Sequence, residues 1–195
     1  MKIKHWPVSM NRFLLTVLFA MSGTAHVFAA ESDPNSSFKS AVASELARIW
    51  NEGDTDMYLP MHTHHLRHAY SPQRLASFNE ATFGLGYGRS FKDAQGGWHG
   101  LYAMAFKDSY FKVEPVVGYA RLYPLARVGA ASFNFGYTAF ITARHDVGHY
   151  LPIPGALPLV SVEVGRLSLM TTFAPGRRNT GNLFFIFGKY TLPNW

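Results

Sequence analysis

The chain has 195 residues, which is enough for one domain of ordinary size. Its 18 basic and 12 acidic residues give a net charge of +6, and aromatic residues make up 15% of the chain. The sequence contains no cysteine, which excludes a disulfide-bonded scaffold and a metal site built on thiolates.

Residues 1–29 predict a cleaved signal peptide for export. Three basic residues, Lys2, Lys4 and Arg12, precede an apolar core at 13–21, and small residues follow at the end of the segment. This core is too short to span a bilayer, and an uncleaved anchor is the alternative. Without the three basic residues the net charge falls to +3, which does not favour nucleic acid as a partner.

Residues 30–56 predict a polar linker followed by an amphipathic helix. The apolar face of this helix carries Phe38, Val42, Leu46, Ile49 and Trp50. The sequence leaves open whether this face packs on a domain or lies in a membrane interface. An exported chain without an internal spanning helix is either a soluble periplasmic domain or an outer-membrane β-barrel.

Residues 57–195 lose the helical period and predict β-strands separated by clusters of turn residues. The strand-length segments lie at about 58–70, 81–91, 98–108, 113–122, 132–143, 157–165, 168–175 and 182–191. An even number of antiparallel strands closes without an unpaired edge in lipid. The predicted fold is therefore all-β, an eight-stranded antiparallel outer-membrane β-barrel preceded by the amphipathic helix.

Two strands indicate what fills the barrel. Gly84, Gly86 and Gly88 share one face of the second strand, so that bulky side chains or another backbone must approach there. The last strand is apolar on both faces. Eight strands leave room for side chains or one small ligand, and these two strands favour an apolar ligand over a water-filled channel.

Strand direction brings several reactive residues to one rim of the barrel. The first, third, fifth and seventh strands end at the rim opposite the chain termini, and this rim is expected to face outward from the cell. Asp108 and Ser109 follow the third strand at that rim. The histidines near the end of the first strand are His62, His64, His65 and His68.

A histidine, a carboxylate and a serine at one rim are the components of an acyl-transfer site. The alternatives are a polar turn at Asp108 and Ser109 and a solvated histidine rim. A metal site on His62, His64 and His68 is a further alternative. Since neither cysteine nor an HExxH motif supports it, no metal and no cofactor are expected.

Two classes without enzymatic activity compete with this interpretation. One is a structural or lipid-binding outer-membrane barrel, which does not predict the three reactive residues at one rim. The other is a soluble lipocalin-like binder, whose outer faces would be polar. Phe133, Phe135 and Tyr137 contradict the second class if they face outward.

Several long motifs occur in order along the chain. They are WHGLYAMAFKDSYFKVEP at 98–115, YLPMHTHHLRHAY at 58–70, GYTAFITAR at 136–144, YLPIPGALPLVSV at 150–162 and APGRRNTGNLFF at 174–185. From about residue 40 to 195 the sequence resembles the PagP family of lipid A palmitoyltransferases. The resemblance implies an outer-membrane barrel that transfers palmitate from the sn-1 position of a glycerophospholipid donor to lipid A. The expected partners are these lipids and the bilayer, and the expected state is a monomer or a homodimer.

The resemblance assigns catalytic roles to His65, Asp108 and Ser109. His65 would be the general base, Asp108 would orient it, and Ser109 would hold the reacting ester or its oxyanion. One departure precedes the histidine, where His64 replaces the usual tryptophan. The resemblance does not distinguish direct transfer from an acyl-enzyme.

The resemblance also assigns residues that guide lipids. Pro158 and Pro175 match the prolines of one lateral route, where missing amide donors relax strand pairing. Pro60 matches one proline of a second route, but Thr82 replaces its partner, which weakens or shifts that opening. Ala120 replaces the usual glycine at the floor of the acyl pocket, so a slightly shorter acyl chain is expected.

Overall fold

The computed structural model describes residues 34–193. The predicted signal peptide lies outside these residues. Helix α1 (Pro34–Glu52) confirms the helix expected before the barrel. Within the described part of the chain, no helix combines the length and apolar character needed to cross a membrane.

Eight strands follow α1 and form a closed antiparallel barrel, which confirms the predicted fold. Each strand pairs with its neighbours in sequence, and the eighth pairs with the first. The strands are β1 (Asp54–His65), β2 (Gly84–Lys92), β3 (Trp98–Lys107), β4 (Val113–Val128), β5 (Ala131–Ala143), β6 (Pro152–Val164), β7 (Leu167–Ala174) and β8 (Leu183–Thr191). Between β1 and β2 lie a 3₁₀ helix (Arg67–Ala69) and the short helix α2 (Pro72–Ala76).

The two rims are named here after their buried histidines. The His65 rim is formed by the segments 66–83, 108–112, 144–151 and 175–182. The His99 rim is formed by the segments 93–97, 129–130 and 165–166. Because antiparallel strands alternate in direction, the ends of β1 and β3 meet at the His65 rim. Strand parity, meaning whether a strand has an odd or an even number in chain order, predicts this from the sequence.

Helix α1 packs at the His99 rim through its second half. Ile49 is fully buried, and the Arg48 guanidinium lies 4.2 Å from the centre of the Phe91 ring. Val42 and Trp50 on the same helix stay exposed, which leaves apolar side chains outside the packed contact. The backbone N–H of Gly53 donates to the carbonyl of Ile49 at 3.1 Å, just after the helix ends.

Side chains alternate between the wall and the interior along each strand. On β5, Phe133 and Phe135 are exposed on the outer wall, whereas Thr138 and Thr142 are buried inside. This outward apolar face is the one that argues against a lipocalin-like binder. Phe140 lies two residues from each of these threonines on the same face of β5, and its ring lines an interior cavity.

The glycine face of β2 admits large side chains from its neighbours. A Cβ atom added at Gly84 would collide with Phe106, and one at Gly86 would collide with Met104. A Cβ atom at Gly88 would crowd the ring of Tyr58. The bulky partners expected from the sequence are therefore present on β3 and β1.

The half of the barrel near the His99 rim is filled by a packed core. Its buried members are Tyr58, Trp98, Met104, Ala120, Leu122, Leu159, Met170 and Phe187. Beneath them, Lys189 Nζ lies 3.2 Å from Asp56 Oδ1, and the hydroxyl of Ser90 donates to Asp56 Oδ2 at 2.5 Å. This paired and hydrogen-bonded carboxylate closes the barrel at that end. Open interior volume is consequently found in the other half.

Strand ends differ from the sequence prediction mainly where prolines occur. β6 begins at Pro152 and not near residue 157, and β4 continues through Pro124 to Val128. Pairing between β4 and β5 shifts register between Pro124 and Ala126, so the missing proline donor falls at an irregularity. Pro154 of β6 is tolerated because β6 pairs there with β5 but not yet with β7.

The first strand also differs from its prediction. β1 begins at Asp54, four residues before the predicted start at about 58, and ends at His65 rather than near residue 70. The residues after His65 turn into the 3₁₀ helix. His65 thus stands at the very end of its strand, where a side chain can reach the rim.

Candidate active site

The structure brings His65 and Ser109 together at the His65 rim. Ser109 Oγ lies 3.2 Å from His65 Nε2, and both residues are buried. Ser109 follows β3 and His65 ends β1, and between them β2 pairs with β3 as far as Phe106 but with β1 only as far as Tyr58. A hydroxyl on an imidazole nitrogen is the arrangement that general-base chemistry requires.

The imidazole of His65 is held in place from three sides. Its ring stacks on Phe78 with centroids 4.1 Å apart, and the edge of Tyr70 contacts it at 5.3 Å. Its Nδ1 lies 3.1 Å from Glu80 Oε1. When Nδ1 carries the proton and donates to this carboxylate, Nε2 presents its lone pair toward Ser109.

Glu80 is a residue of the candidate site that the sequence interpretation missed. Its carbonyl accepts from the N–H of Thr63 at 2.9 Å, and its Oε1 accepts from the N–H of His65 at 3.1 Å. Arg67 forks onto both carboxylate oxygens at 3.0 and 2.6 Å. The sequence does contain one signal for Glu80. Residues 71–80 belong to the segment that strand parity assigns to the same rim as His65.

The charge of Glu80 is fixed by its donors. Burial raises the pKa of the Glu80 carboxyl. The Arg67 guanidinium and the backbone and ring N–H groups of His65 lower this pKa by more than burial raises it. The pKa of Glu80 consequently falls to about 2. At neutral pH this carboxylate is ionised and can stabilise a protonated His65.

Asp108 has a different neighbourhood. Its Oδ1 accepts from the N–H groups of Tyr110 and Lys112, both at 2.8 Å, and so organises the turn that carries Ser109. The turn includes Phe111 at a positive φ of 61°. Among the described residues Asp108 Oδ2 is buried without a hydrogen-bond partner. The carboxylate that contacts His65 Nδ1 is that of Glu80.

An apolar cavity of about 310 Å³ runs into the barrel from this site. Asp108 and Ser109 are among its lining residues. Much of its apolar lining comes from Met104, Phe106, Val116, Phe140, Leu157 and Phe185. The volume falls at the lower end of the range for small-molecule sites, and the shape suits an apolar chain whose polar end stays near Ser109.

The floor of the cavity lies above Ala120. Tyr102 and Thr138 both line the cavity, and their hydroxyl groups are 2.6 Å apart. Ala120 is 2% exposed and belongs to the packed core with Met104 and Phe187, which do line the cavity. The added methyl group therefore sits under the floor and not in the cavity wall.

Pro158 and Pro175 flank a break in strand pairing. β6 and β7 pair only from Leu159 and Thr172 toward the His99 rim. Pro158 directly precedes Leu159, and Pro175 follows the end of β7. Leu157 and Ala174, on the two sides of the break, also line the cavity. The two strands are thus unpaired beside the cavity.

A second break separates β1 from β2. Their pairing ends at Tyr58 and Gly86, and β1 shifts register against β8 between Pro60 and His62. The hydroxyl of Thr82, which is buried, lies 3.0 Å from that of Thr63 across this break. A hydrogen-bonded threonine pair therefore bridges the break where the resemblance leads one to expect a proline.

Comparison with known proteins identifies the family of this chain. Residues 45–189 match the family described as "Antimicrobial peptide resistance and lipid A acylation protein PagP". A protein named "Lipid A acyltransferase PagP" from Methylobacillus flagellatus is 37% identical over 191 residues, covering 97% of this chain and 98% of the relative. Proteins of the same name from Legionella pneumophila and Bordetella pertussis are 39% and 44% identical, over 91% and 73% of this chain and 96% and 79% of theirs. The chain belongs to the PagP family.

Proposed function

We propose that this protein is an outer-membrane acyltransferase. It moves a palmitoyl or similar long acyl chain from the sn-1 position of a glycerophospholipid to lipid A of lipopolysaccharide. The observation that carries the proposal is the contact between Ser109 and His65 at the mouth of an apolar cavity. The names of the relatives, lipid A acyltransferases, support the acceptor.

In this proposal His65 is the general base. Its Nε2 takes the proton from the attacking hydroxyl of lipid A, or from Ser109 if an acyl-enzyme forms. Glu80 accepts from Nδ1 at 3.1 Å, fixes the tautomer and stabilises the imidazolium that results. His65 then returns the proton to the departing oxygen of the donor lipid, so that a lysophospholipid leaves.

Ser109 and Asp108 act at the reacting ester. The Ser109 hydroxyl holds the ester or its oxyanion while the acyl chain extends into the cavity. Asp108 keeps the 108–112 turn in shape through two backbone N–H groups, which fixes Ser109 against His65. Among the described residues its Oδ2 has no hydrogen-bond partner, and beside the cavity it remains available to the substrate head group.

Lipids reach the cavity from the side of the barrel. The unpaired stretch beside Pro158 and Pro175 opens next to Leu157 and Ala174 at the cavity. The break at Pro60 gives a second, narrower route because Thr82 and Thr63 bridge it. An exposed apolar belt on the outer wall supports a membrane location. Members of that belt are Leu59, Leu85, Val117, Phe135, Val160 and Leu169.

The test is a transfer assay with a donor whose two acyl chains differ. Protein purified in detergent is mixed with lipid A and with a phospholipid that carries palmitate only at sn-1. Mass spectrometry should detect lipid A that is heavier by one palmitoyl group, together with a lysophospholipid that retains the sn-2 chain. Transfer of the sn-2 chain, or release of free fatty acid without acylated lipid A, would overturn the proposal.

A further inference from the structure

Two histidines on the outer wall remain unused by the proposed chemistry. His62 and His64 lie two residues apart on β1 and present their rings on the same face, with centroids 6.2 Å apart and planes 29° from parallel. Within residues 34–193, neither ring has a hydrogen-bond partner. Both are only half-buried, so their nitrogens are accessible to a ligand.

Glu80 completes this pair. One ligand atom from each of His62, His64 and Glu80 lies within 4.8 Å of the other two. The hydrogen bonds from the N–H groups of Thr63 and His65 tie Glu80 to the same stretch of β1 that carries the histidines. The three side chains are therefore anchored to one short segment of backbone, which limits the motion that a ligand must arrest.

The carboxylate retains capacity for one more bond. Oε1 already accepts from His65 N, His65 Nδ1 and Arg67, whereas Oε2 accepts only from Arg67 among the described residues. Since a carboxylate oxygen offers two lone pairs, Oε2 can bind a further cation without releasing His65.

We propose that His62, His64 and Glu80 Oε2 form a binding site for a divalent transition-metal ion, with Zn²⁺ the ion best matched to these ligands. Two imidazole nitrogens and one carboxylate oxygen are an established donor set for zinc, with water in the fourth position. The sequence grouped His62 and His64 with His68. In the structure His68 lies exposed in the 3₁₀ helix, and Glu80 takes its place in the cluster.

A metal ion bound at this site would affect the proposed active site through Glu80. An ion on Oε2 withdraws negative charge from the carboxylate whose Oε1 contacts His65 Nδ1. Bound zinc should therefore slow acyl transfer. This consequence rests on the proposed function, whereas the binding itself does not.

The site is tested by binding, without reference to activity. Full-length protein without a histidine tag is purified in detergent, titrated calorimetrically with zinc chloride, and analysed for bound metal after dialysis. The wild type should hold one zinc per chain. His62→Ala and His64→Trp should each bind zinc at least about tenfold more weakly. His68→Ala, which removes a neighbouring exposed histidine, is the matched control and should bind zinc as the wild type does.

Two results would overturn the site. One is zinc affinity in His62→Ala and His64→Trp equal to that of the wild type, and the other is an equal loss in His68→Ala. The ratio of transfer rates with and without zinc then tests the link to His65, and this ratio should approach one in His64→Trp. If the protein transfers no acyl chain under any condition, the proposed function fails while calorimetry still decides the metal site.

Discussion

The two rims of the barrel each hold a buried histidine stacked on a phenylalanine and paired with a carboxylate. At the His65 rim the ring lies on Phe78 and contacts Glu80, and at the His99 rim the ring of His99 lies on Phe91 with planes 7° apart. The decisive difference is the second ring nitrogen. His65 Nε2 faces the hydroxyl of Ser109 beside the cavity, whereas His99 has a carboxylate at each nitrogen, Glu45 at 2.7 Å and Asp93 at 3.2 Å. The Tyr119 hydroxyl also lies 3.0 Å from His99 Nδ1.

In the proposed function this difference separates a general base, His65, from a histidine with a structural role, His99. Both ring nitrogens of His99 are already engaged by side chains of the protein, so this ring is held as part of the packed rim. His99 also lies outside the set of residues that line the cavity, in the half of the barrel that the core fills. A buried histidine next to an acid, even with a hydroxyl group nearby, is therefore not evidence of catalysis unless the site also opens onto a cavity that a substrate can enter.

The strongest way to break the comparison is to make the same substitution at both rims. His65→Gln should lower acyl transfer by about 10²- to 10⁴-fold, because a glutamine cannot take up the proton that a general base removes. His99→Gln should change the transfer rate by less than about twofold, since it touches no reacting atom. Transfer is measured by mass spectrometry of lipid A with equal amounts of folded barrel.

The control for these two variants is a measurement of whether the barrel is folded. Folded eight-stranded barrels migrate differently on a gel before and after boiling, and both variants should retain that shift. Equal losses of activity in the two variants, with folding intact, would mean that the two histidines are not functionally distinct.

The second test asks which acid serves His65. Glu80→Gln removes the charge that stabilises the imidazolium but keeps the size of the side chain, and should lower kcat roughly 10- to 100-fold. KM should stay nearly constant, because Glu80 contacts His65 and is not among the residues lining the cavity. Glu80→Asp should recover part of the rate, which a purely structural role would not predict.

Asp108→Asn is the matched comparison. An asparagine retains an oxygen for the N–H groups of Tyr110 and Lys112, so the turn should survive. If Asp108 acts through the turn, this variant should lose less activity than Glu80→Gln. A larger loss of activity in Asp108→Asn than in Glu80→Gln would mean that Asp108, and not Glu80, orients His65.

Sequence reasoning could predict the barrel because period-two alternation and turn clusters are local signals. It could not predict the start of β6 at Pro152, since prolines normally exclude a strand. Prolines are compatible with the start of β6 only because β7 is not paired beside them, and this lack of pairing is a property of the assembled sheet. The same limit explains β4, whose passage through Pro124 depends on a register shift against β5.

The site was partly predictable for a related reason. Strand parity brings His65 and Ser109 to one rim without knowledge of any contact. Strand parity does not show which acid at that rim contacts His65, because the contact between Glu80 and His65 depends on how residues 78–83 return beside β1. The same return brings Glu80 to His62 and His64, a cluster that sequence spacing alone assigns differently.

A third test sharpens the contrast between the open and the packed halves of the barrel. Ala120 lies in the core beneath the cavity floor and opposite Thr138, so Ala120→Gly should let the floor settle and deepen the cavity by about one methylene. At roughly 0.8 kcal/mol per buried methylene, the preference between acyl chains one carbon apart should shift about fourfold toward the longer chain. The measurement is competition between donors of neighbouring chain length, read as masses of lipid A. An unchanged profile would mean that the floor is set by Tyr102 and Thr138 alone.

The smallest expected effect tests the structural role of the His99 rim. Glu45→Gln keeps a hydrogen-bond acceptor for His99 but removes the charge, and should lower the free energy of unfolding by roughly 1 kcal/mol. Glu52→Gln on the same helix is the control, since its ion pair with Arg48 is exposed and should contribute almost nothing. Unfolding in urea, followed by tryptophan fluorescence, gives both values. Transfer should be unchanged in both variants, because Glu45 contacts His99, which lies away from the cavity. A loss of transfer in Glu45→Gln alone would mean that the His99 rim contributes to chemistry and not only to stability.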